Sequence, residues 1–205
     1  MINPPDLIFE PGPHRYTYKG LVVPSVTQSI DWMINFYAPK EVMEAAAQRG
    51  TIVHKLTEKW DQGEWDEGWQ RDIDVAGLDG YLEAWKAFTR ERVASIEAVE
   101  MLVFHPQALY AGTLDRALYL NDKPEELSIV DIKTGILHDE YAMQTAAYQH
   151  AYNQGQKGKK ATRRAVAQLL PNGDYNVVEY KDKSDISAYL SALNVHNWRA
   201  NRGKN

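Results

Sequence analysis

The chain has 205 residues, 44 % of them apolar and 25 % charged, which is typical of a globular protein with a substantial core. It contains no cysteine, which excludes disulfides, zinc–thiolate sites and cysteine-ligated iron–sulfur clusters, and we find no apolar run of about 18 residues that would span a membrane. The net charge of −5 argues against a uniformly DNA-binding surface but permits a local basic patch.

Up to position 50 the pattern predicts a hairpin and two helices. Residues 14–23 are aromatic-rich and alternate around Gly20, which predicts the hairpin. Ser25 is a good N-cap for a helix that runs to about Trp32. Residues 39–48 favour a second helix, which we expect Arg49–Gly50 to end.

The next segment predicts two helices separated by a loop. On the first helix, residues 51–60, His54 and Glu58 share a face, and we interpret Glu58 as a solvated acid. Residues 61–74 form a loop excursion whose tryptophans either stack on nucleic-acid bases or pack back onto the domain. Residues 75–92 have the apolar spacing of an amphipathic core helix.

Three strands follow, and they carry the strongest chemical signal. Residues 96–104 predict a buried strand in which Glu100 either joins a site or reaches solvent at a sheet edge. The turn residues 121–126 predict a hairpin that brings Asp115 beside Asp131. Because alternate strand residues share a face, Asp131 and Lys133 point the same way while Ile132 points into packing. Two carboxylates and a lysine at one sheet edge suit a hard divalent cation and a phosphate ester.

The C-terminal third predicts a helix, two strands and a final helix. Gln144, Tyr148 and Tyr152 recur every four residues on a helix over residues 139–153. A basic loop, residues 157–164, runs into a strand, and Asn172–Gly173 predicts the turn to a partner strand over residues 175–180. Ser184 is the expected N-cap of a helix that extends to about position 200. We expect residues 1–205 to form one domain.

Four sequence pieces together resemble the PD-(D/E)XK nuclease superfamily, within it the RecB-like branch. They are RGTIVH (49–54), GTLDRA (112–117), IVDIKTG (129–135) and QTAAYQHAY (144–152), and the resemblance covers roughly residues 23–178. The proline that the superfamily has before the first acid is Leu114 here, a common departure that leaves the ligand intact. The resemblance implies an α/β fold with a three-layer α/β/α restriction-endonuclease-like core and a mixed central sheet.

The resemblance also implies roles for individual residues. One or two Mg²⁺ or Mn²⁺ ions would be held by His54, Asp115, Asp131 and the backbone carbonyl of Ile132, with Glu100 as a further ligand to metal or water. Lys133 would position the attacking water, and Gln144 and Tyr148 match the Q-x-x-x-Y motif that orients DNA or the catalytic lysine. The candidate DNA contacts are Arg49, Arg116, Lys157, Lys159, Lys160, Arg163, Arg164 and Tyr141.

The activity implied is a metal-dependent exonuclease that hydrolyses phosphodiester bonds at linear DNA ends in recombination, repair or phage DNA metabolism. Two alternatives stay open: a structure- or sequence-specific endonuclease, and a catalytically silent DNA-binding protein on the same fold. An annealing protein or a helicase is an expected partner, as is a second copy of the chain. The expected location is the cytoplasm of a bacterial or phage-infected cell.

Overall fold

The structure is a computed structural model that describes residues 6–33, 39–66, 68–69, 77–155 and 158–203. Its main elements, in chain order, are β1 (Leu7–Glu10), β2 (Arg15–Tyr18), β3 (Leu21–Val23), α1 (Val26–Ile30), a 3₁₀ turn (Asp31–Met33), α2 (Lys40–Asp61), α3 (Asp79–Arg92), β4 (Val93–His105), β5 (Tyr110–Leu120), β6 (Lys123–Lys133), α4 (Glu140–Gly155), β7 (Ala161–Leu169), β8 (Tyr175–Glu179) and α5 (Asp185–Arg202). Within the described ranges no helix has the length and apolar character needed to cross a membrane.

The centre of the fold is a five-stranded mixed sheet with the order β4-β5-β6-β7-β8. Neighbouring strands are antiparallel except β6 and β7, which run parallel. A parallel pair needs a crossover connection, and α4 provides it. The first three strands form a separate antiparallel meander that packs on Phe104 and Ala111 of the main sheet.

Helices cover both faces of the sheet, each over its own apolar core. On one face, α1, α4 and α5 pack over residues such as Leu114 and Ile129. On the other face, α2 and α3 pack over residues such as Val130 and Ile132. The side-chain alternation within β6 therefore assigns Asp131 and Lys133 to the α4 side. The predicted α/β fold, with three layers and a mixed sheet, is confirmed.

Several predicted boundaries were wrong. Residues 40–61 form one helix through Arg49–Gly50, because a single glycine costs about 1 kcal/mol, less than the burial of Val53 and Leu56 returns. Strand β4 begins three residues earlier than predicted, at Val93, and β1 was not predicted at all. The predicted start of the helix at residues 75–76 lies outside the described residues.

The two predicted serine caps had different outcomes. Ser25 forms a full capping box, since its hydroxyl accepts the N–H of Gln28 at 3.0 Å and the Gln28 side chain accepts the N–H of Ser25 at 3.1 Å. Ser184 makes no side-chain cap, because its ψ of −17° is helical rather than extended. Its N–H donates instead to the Asp182 carboxylate at 2.8 Å.

Candidate active site

The candidate site lies where β5 and β6 separate. Their backbone pairing runs as far as Arg116 and Val130, whereas β6 remains paired with β7 up to Lys133. The N–H of Ile132 has therefore lost its β5 partner, and it donates to Asp115 Oδ2 at 2.6 Å. A buried N–H needs an acceptor, and the Asp115 carboxylate provides one for Ile132. The same bond holds Asp115 beside Asp131.

His54 of α2 reaches this gap from the neighbouring layer. Its Nε2 donates to the carbonyl of Ile132 at 3.0 Å, and its Nδ1 lies 3.4 Å from Asp115 Oδ1 and 4.0 Å from Glu100 Oε1. One ligand atom from each of His54, Glu100 and Asp115 falls within 4.8 Å of the others. The Ile132 carbonyl, predicted as a metal ligand, here fixes the imidazole so that Nδ1 faces the two carboxylates.

Asp131 and Lys133 form a second, adjoining pair. Lys133 Nζ lies 2.6 Å from Asp131 Oδ2 and 4.6 Å from the ring centre of Tyr141. Asp131 is buried, and the Lys133 ammonium is the charged partner of its Oδ2. The structure thus brings five predicted residues together in two groups, His54–Glu100–Asp115 and Asp131–Lys133.

The site concentrates negative charge away from water, which shifts its pKa values. Burial disfavours the His54 imidazolium, but Asp115 outweighs burial and raises the pKa of His54 to about 9. Burial and Asp115 raise the pKa of Glu100 to about 7, and burial, opposed by Lys133, raises the pKa of Asp131 to about 6. Burial also works against the charged forms of Asp115 and Lys133, yet their partners lower the pKa of Asp115 and raise that of Lys133. Such a site favours the uptake of positive charge.

Glu100 has an unusual backbone conformation. The pairs Val99–Arg116 and Met101–Leu114 on either side place Glu100 opposite Asp115 in the ladder. Its φ of 46° lies in the left-handed region, which typically costs a non-glycine residue about 1–3 kcal/mol. Strain of this kind concentrates at functional sites, and here it occurs at a carboxylate that faces His54.

Arg116, predicted as a DNA contact, is fully buried and is held by bonds within the fold. Its Nε donates to Asp61 Oδ2 at 2.6 Å, and its Nη1 donates to Glu100 Oε1 at 3.0 Å and to the Asp115 carbonyl at 2.7 Å. Its Nη2 donates to Thr57 Oγ1 at 3.0 Å, and its guanidinium lies 5.2 Å from the ring centre of Trp85. Strand alternation places the Arg116 side chain on the face of the sheet that α2 and α3 cover, whereas Asp115 points to the other face.

Three partners of Arg116, Asp61, Thr57 and Trp85, support the site from behind and were not predicted from the sequence. Trp85 Nε1 also donates to Asp61 Oδ1, at 2.9 Å, so the Asp61 carboxylate is held from two sides. The signal was present in the sequence, since His54, Thr57 and Asp61 are spaced three and seven residues apart and share one face of α2.

The Q-x-x-x-Y residues lie on α4, against the same sheet edge. Gln144 Nε2 donates to Tyr148 Oη at 3.4 Å, and both side chains are buried. Burial raises the pKa of Tyr148 well above its usual value, with further increases from Asp131 and Asp115. Gly112 permits this approach, because a Cβ there would lie 2.7 Å from Tyr148 Cε1. Tyr152 packs one turn further along the core, and the charge acting on its hydroxyl is that of Glu97.

The predicted basic DNA contacts of the loop and of β7 are mostly engaged elsewhere. Arg163 pairs with Asp122 and Glu179 at 3.0 and 2.8 Å. Arg164 is buried and donates to the Ala142 carbonyl at 2.7 Å. Both guanidinium groups are thus held by bonds within the fold, and their role as phosphate contacts stays a prediction.

The remaining basic candidates lie nearer the surface. Lys159 is exposed, with Nζ 4.5 Å from the Tyr119 ring centre, and Lys160 is exposed with its Nζ bonded to the Asn153 carbonyl. Arg49 is half-buried, 5.9 Å from the Tyr81 ring centre. Lys157 lies outside the described residues.

Two tryptophans of the predicted loop excursion pack on the core, and Glu58 forms a surface ion pair. Trp65 and Trp69 pack against the core under α2 and α3, in agreement with the packing alternative. Glu58 pairs with Lys55 at 2.7 Å. Residues 67 and 70–74 of the excursion lie outside the described residues.

Comparison with known proteins identifies the family. The sequence profile of the PD-(D/E)XK nuclease superfamily matches residues 31–194, and the chain belongs to that superfamily. Membership implies a nucleic-acid substrate and the use of divalent metal ions. No curated protein matches the chain.

Solved structures with a similar fold have low sequence identity. One is a candidate exonuclease from Eubacterium rectale, with a TM-score of 0.47 and 14 % identity over 86 % of this chain and 70 % of that one. Another is the alkaline exonuclease LHK-Exo from Laribacter hongkongensis, with a TM-score of 0.34 and 13 % identity over 88 % of this chain and 92 % of that one.

The donor atoms fit a divalent cation of the kind the family uses. His54 Nδ1 and the Glu100 and Asp115 carboxylates already converge, and Asp131 offers a buried carboxylate oxygen beside the Lys133 ammonium. Oxygen-rich ligation with one imidazole suits Mg²⁺ and Mn²⁺. No thiolate competes, because the chain has no cysteine.

Proposed function

We propose that this protein is a metal-dependent DNA exonuclease that hydrolyses phosphodiester bonds at DNA ends. The observation that carries the proposal is the meeting of three metal-ligating side chains with the Asp131–Lys133 pair at the point where β5 and β6 separate. The role in recombination, repair or phage DNA metabolism rests on the sequence resemblance. The resemblance is also the basis for four further proposals: the location in a bacterial or phage-infected cell, a helicase or annealing partner, self-association, and a single domain that extends over the whole chain.

The cation would be Mg²⁺ or Mn²⁺, held by His54, Asp115 and Asp131 with Glu100 beside them. When bound, it would supply a Lewis acid that activates water and stabilises charge on the reacting phosphate. The imidazole favours tolerance of Mn²⁺. Nε2 of His54 stays bonded to the Ile132 carbonyl, which leaves Nδ1 as the ligand atom.

Lys133 acts as a positioned cation rather than a free base. Its ammonium is buried, and Asp131 and Asp115 outweigh that burial and raise its pKa, so it stays protonated at neutral pH. From its place 2.6 Å from Asp131 it can orient the attacking water and offset the charge of the scissile phosphate. Gln144 and Tyr148 would form a wall of the site near this pair, since burial raises the pKa of the Tyr148 hydroxyl and the charges of Asp131 and Asp115 raise it further.

The test is cleavage of end-labelled linear DNA and closed circular DNA in Mg²⁺, Mn²⁺ or EDTA. We expect metal-dependent loss of linear DNA only, and a fall of about 100-fold or more in Lys133→Ala and Asp131→Asn. Lys123→Ala is the matched control, since Lys123 lies at the other end of β6 in an ion pair with Glu126. It should cleave at the parental rate.

Other outcomes select the alternatives. Cleaved circles would make the protein an endonuclease. DNA binding without cleavage in any metal, and unchanged in Asp131→Asn, would support a catalytically silent binding protein. Activity retained in Lys133→Ala would contradict the assignment of this site.

A further inference from the structure

The 3₁₀ turn after α1 and the C-terminal end of α5 together expose two tryptophans and two arginines. Trp32 is 40 % exposed and Trp198 is 56 % exposed. The Arg199 guanidinium lies 4.6 Å from the ring centre of Trp32, and that of Arg202 lies 4.7 Å from the ring centre of Trp198. We call these four residues the aromatic–arginine surface.

The charge around this surface is opposite to that of the whole chain. Residues 186–205 contain three Lys or Arg and no Asp or Glu, whereas the chain as a whole carries −5. The acid next to the surface is Asp31, which faces His196, His14 and Lys133. Burial raises the pKa of Asp31, and the three neighbouring groups oppose that rise. The surface is therefore locally attractive to phosphate.

The surface adjoins the candidate active site. The Lys133 ammonium is near enough to Asp31 to lower the pKa of that carboxyl, and Asp31 directly precedes Trp32. Tyr148 packs in one core cluster with Val26 and Ile30 of α1, the helix that leads into this turn. A DNA strand that leaves the site on this side meets Trp32 first and then the end of α5.

We propose that the aromatic–arginine surface binds single-stranded DNA next to the active site. Exposed indole rings stack on unpaired bases, whose faces are hidden inside a duplex, and arginines beside them contact the phosphates. This deepens the proposed exonuclease function and rests on it: the strand held in the site would have unpaired bases, either as a single-stranded substrate or as a frayed end.

Binding is measured without cleavage, in Lys133→Ala protein with EDTA, by fluorescence anisotropy of labelled oligothymidylate and of a blunt duplex. We expect Trp32→Ala and Trp198→Ala each to weaken oligothymidylate binding about tenfold, with little change for the duplex. Arg199→Ala should reduce the slope of log affinity against log salt by about 0.7, the value for one phosphate contact on a single strand.

Two matched controls separate stacking from structural damage. Trp32 Nε1 donates to the Ser29 carbonyl at 2.9 Å, and Trp32→Phe removes that bond but keeps an aromatic face. It should therefore bind within about threefold of the parent. Trp60 is also exposed and has Lys86 Nζ 4.3 Å from its ring centre, but it lies at the end of α2, so Trp60→Ala should bind normally.

Parental oligothymidylate affinity in both Trp→Ala variants would overturn the proposal, as would an equal loss for the duplex. The failure of the exonuclease function is distinguishable. If the wild-type protein cleaves no DNA but the tryptophan variants lose oligothymidylate binding, the surface stands and the nuclease proposal falls. If the wild-type protein cleaves DNA and the tryptophan variants bind oligothymidylate normally, the nuclease proposal stands and the surface proposal falls.

Discussion

Removal of the Arg116 guanidinium is the sharpest test of the structure behind the active site. The Asp61 side chain is 3 % exposed, and its partners are Arg116 at 2.6 Å and Trp85 at 2.9 Å. Arg116→Met would fill most of the space but leave a buried carboxylate with one neutral donor. Breaking a buried ion pair from one side typically costs about 3–5 kcal/mol.

That cost is large relative to the stability of a domain, which is about 5–15 kcal/mol. Burial raises the pKa of Asp61 even with Arg116 beside it, so the unpaired carboxyl can take up a proton and limit the loss. We therefore expect a decrease of about 3 kcal/mol in the free energy of unfolding, at the lower end of that range. With a urea m-value of about 2 kcal/mol/M, the midpoint should fall by about 1.5 M.

The assay is urea unfolding of a double-mutant cycle. Asp61→Asn keeps an oxygen that can accept the Trp85 N–H, so this change removes the Asp61 charge and little else. Arg116→Met also removes the bonds to Glu100, the Asp115 carbonyl and Thr57, but that loss is common to the single and the double variant and cancels in the cycle. The double variant should lose less stability than the two single variants added together, by about 1–3 kcal/mol. A loss below about 1 kcal/mol in Arg116→Met, or strict additivity, would refute the buried pair.

Two further predictions concern packing and acid stability. Gly112→Ala should lower the free energy of unfolding by about 1–3 kcal/mol and reduce nuclease activity, because its Cβ would meet Tyr148 at 2.7 Å. Gly155→Ala, which has open space around it, is the control and should change urea unfolding little. Equal effects of the two variants would contradict the close approach. His105 stacks on His150 at 4.1 Å, and burial lowers its pKa from 6.5 to about 4, so the unfolded chain binds more protons and stability is lost as the pH falls from 6.5 towards 4. The stability lost between pH 7 and pH 4, measured by urea unfolding, should be smaller in His105→Asn by up to about 3 kcal/mol. An unchanged difference between the two pH values would show that another group is responsible.

Features set by residues close in sequence could be predicted. The β5–β6 hairpin follows from its turn residues, and the shared face of Asp131 and Lys133 follows from strand alternation. The capping box at Ser25 depends on a residue three positions away. In each case the deciding contacts are local, so the pattern alone identifies them.

Features set by packing between layers could not be predicted. Strand alternation places Arg116 and Asp115 on opposite faces of the sheet. The burial of the face that carries Arg116 depends on the packing of α2 and α3 against it. The same docking carries α2 through Gly50, because burial of Val53 outweighs the propensity of one residue. The conformation of Glu100 likewise depends on its partners across the sheet.

Glu100 shows why the buried arginine belongs to the site. A glutamate in the left-handed region persists only if its surroundings hold it there, and Arg116 Nη1 binds its carboxylate at 3.0 Å. The same guanidinium binds the Asp115 carbonyl and, through Asp61, the end of the helix that carries His54. Arg116 thus touches the elements of all three residues in the converging donor set, and it binds the Glu100 carboxylate directly. Loss of this one group should therefore disturb the spacing of the whole set, whereas loss of any single ligand removes only one donor.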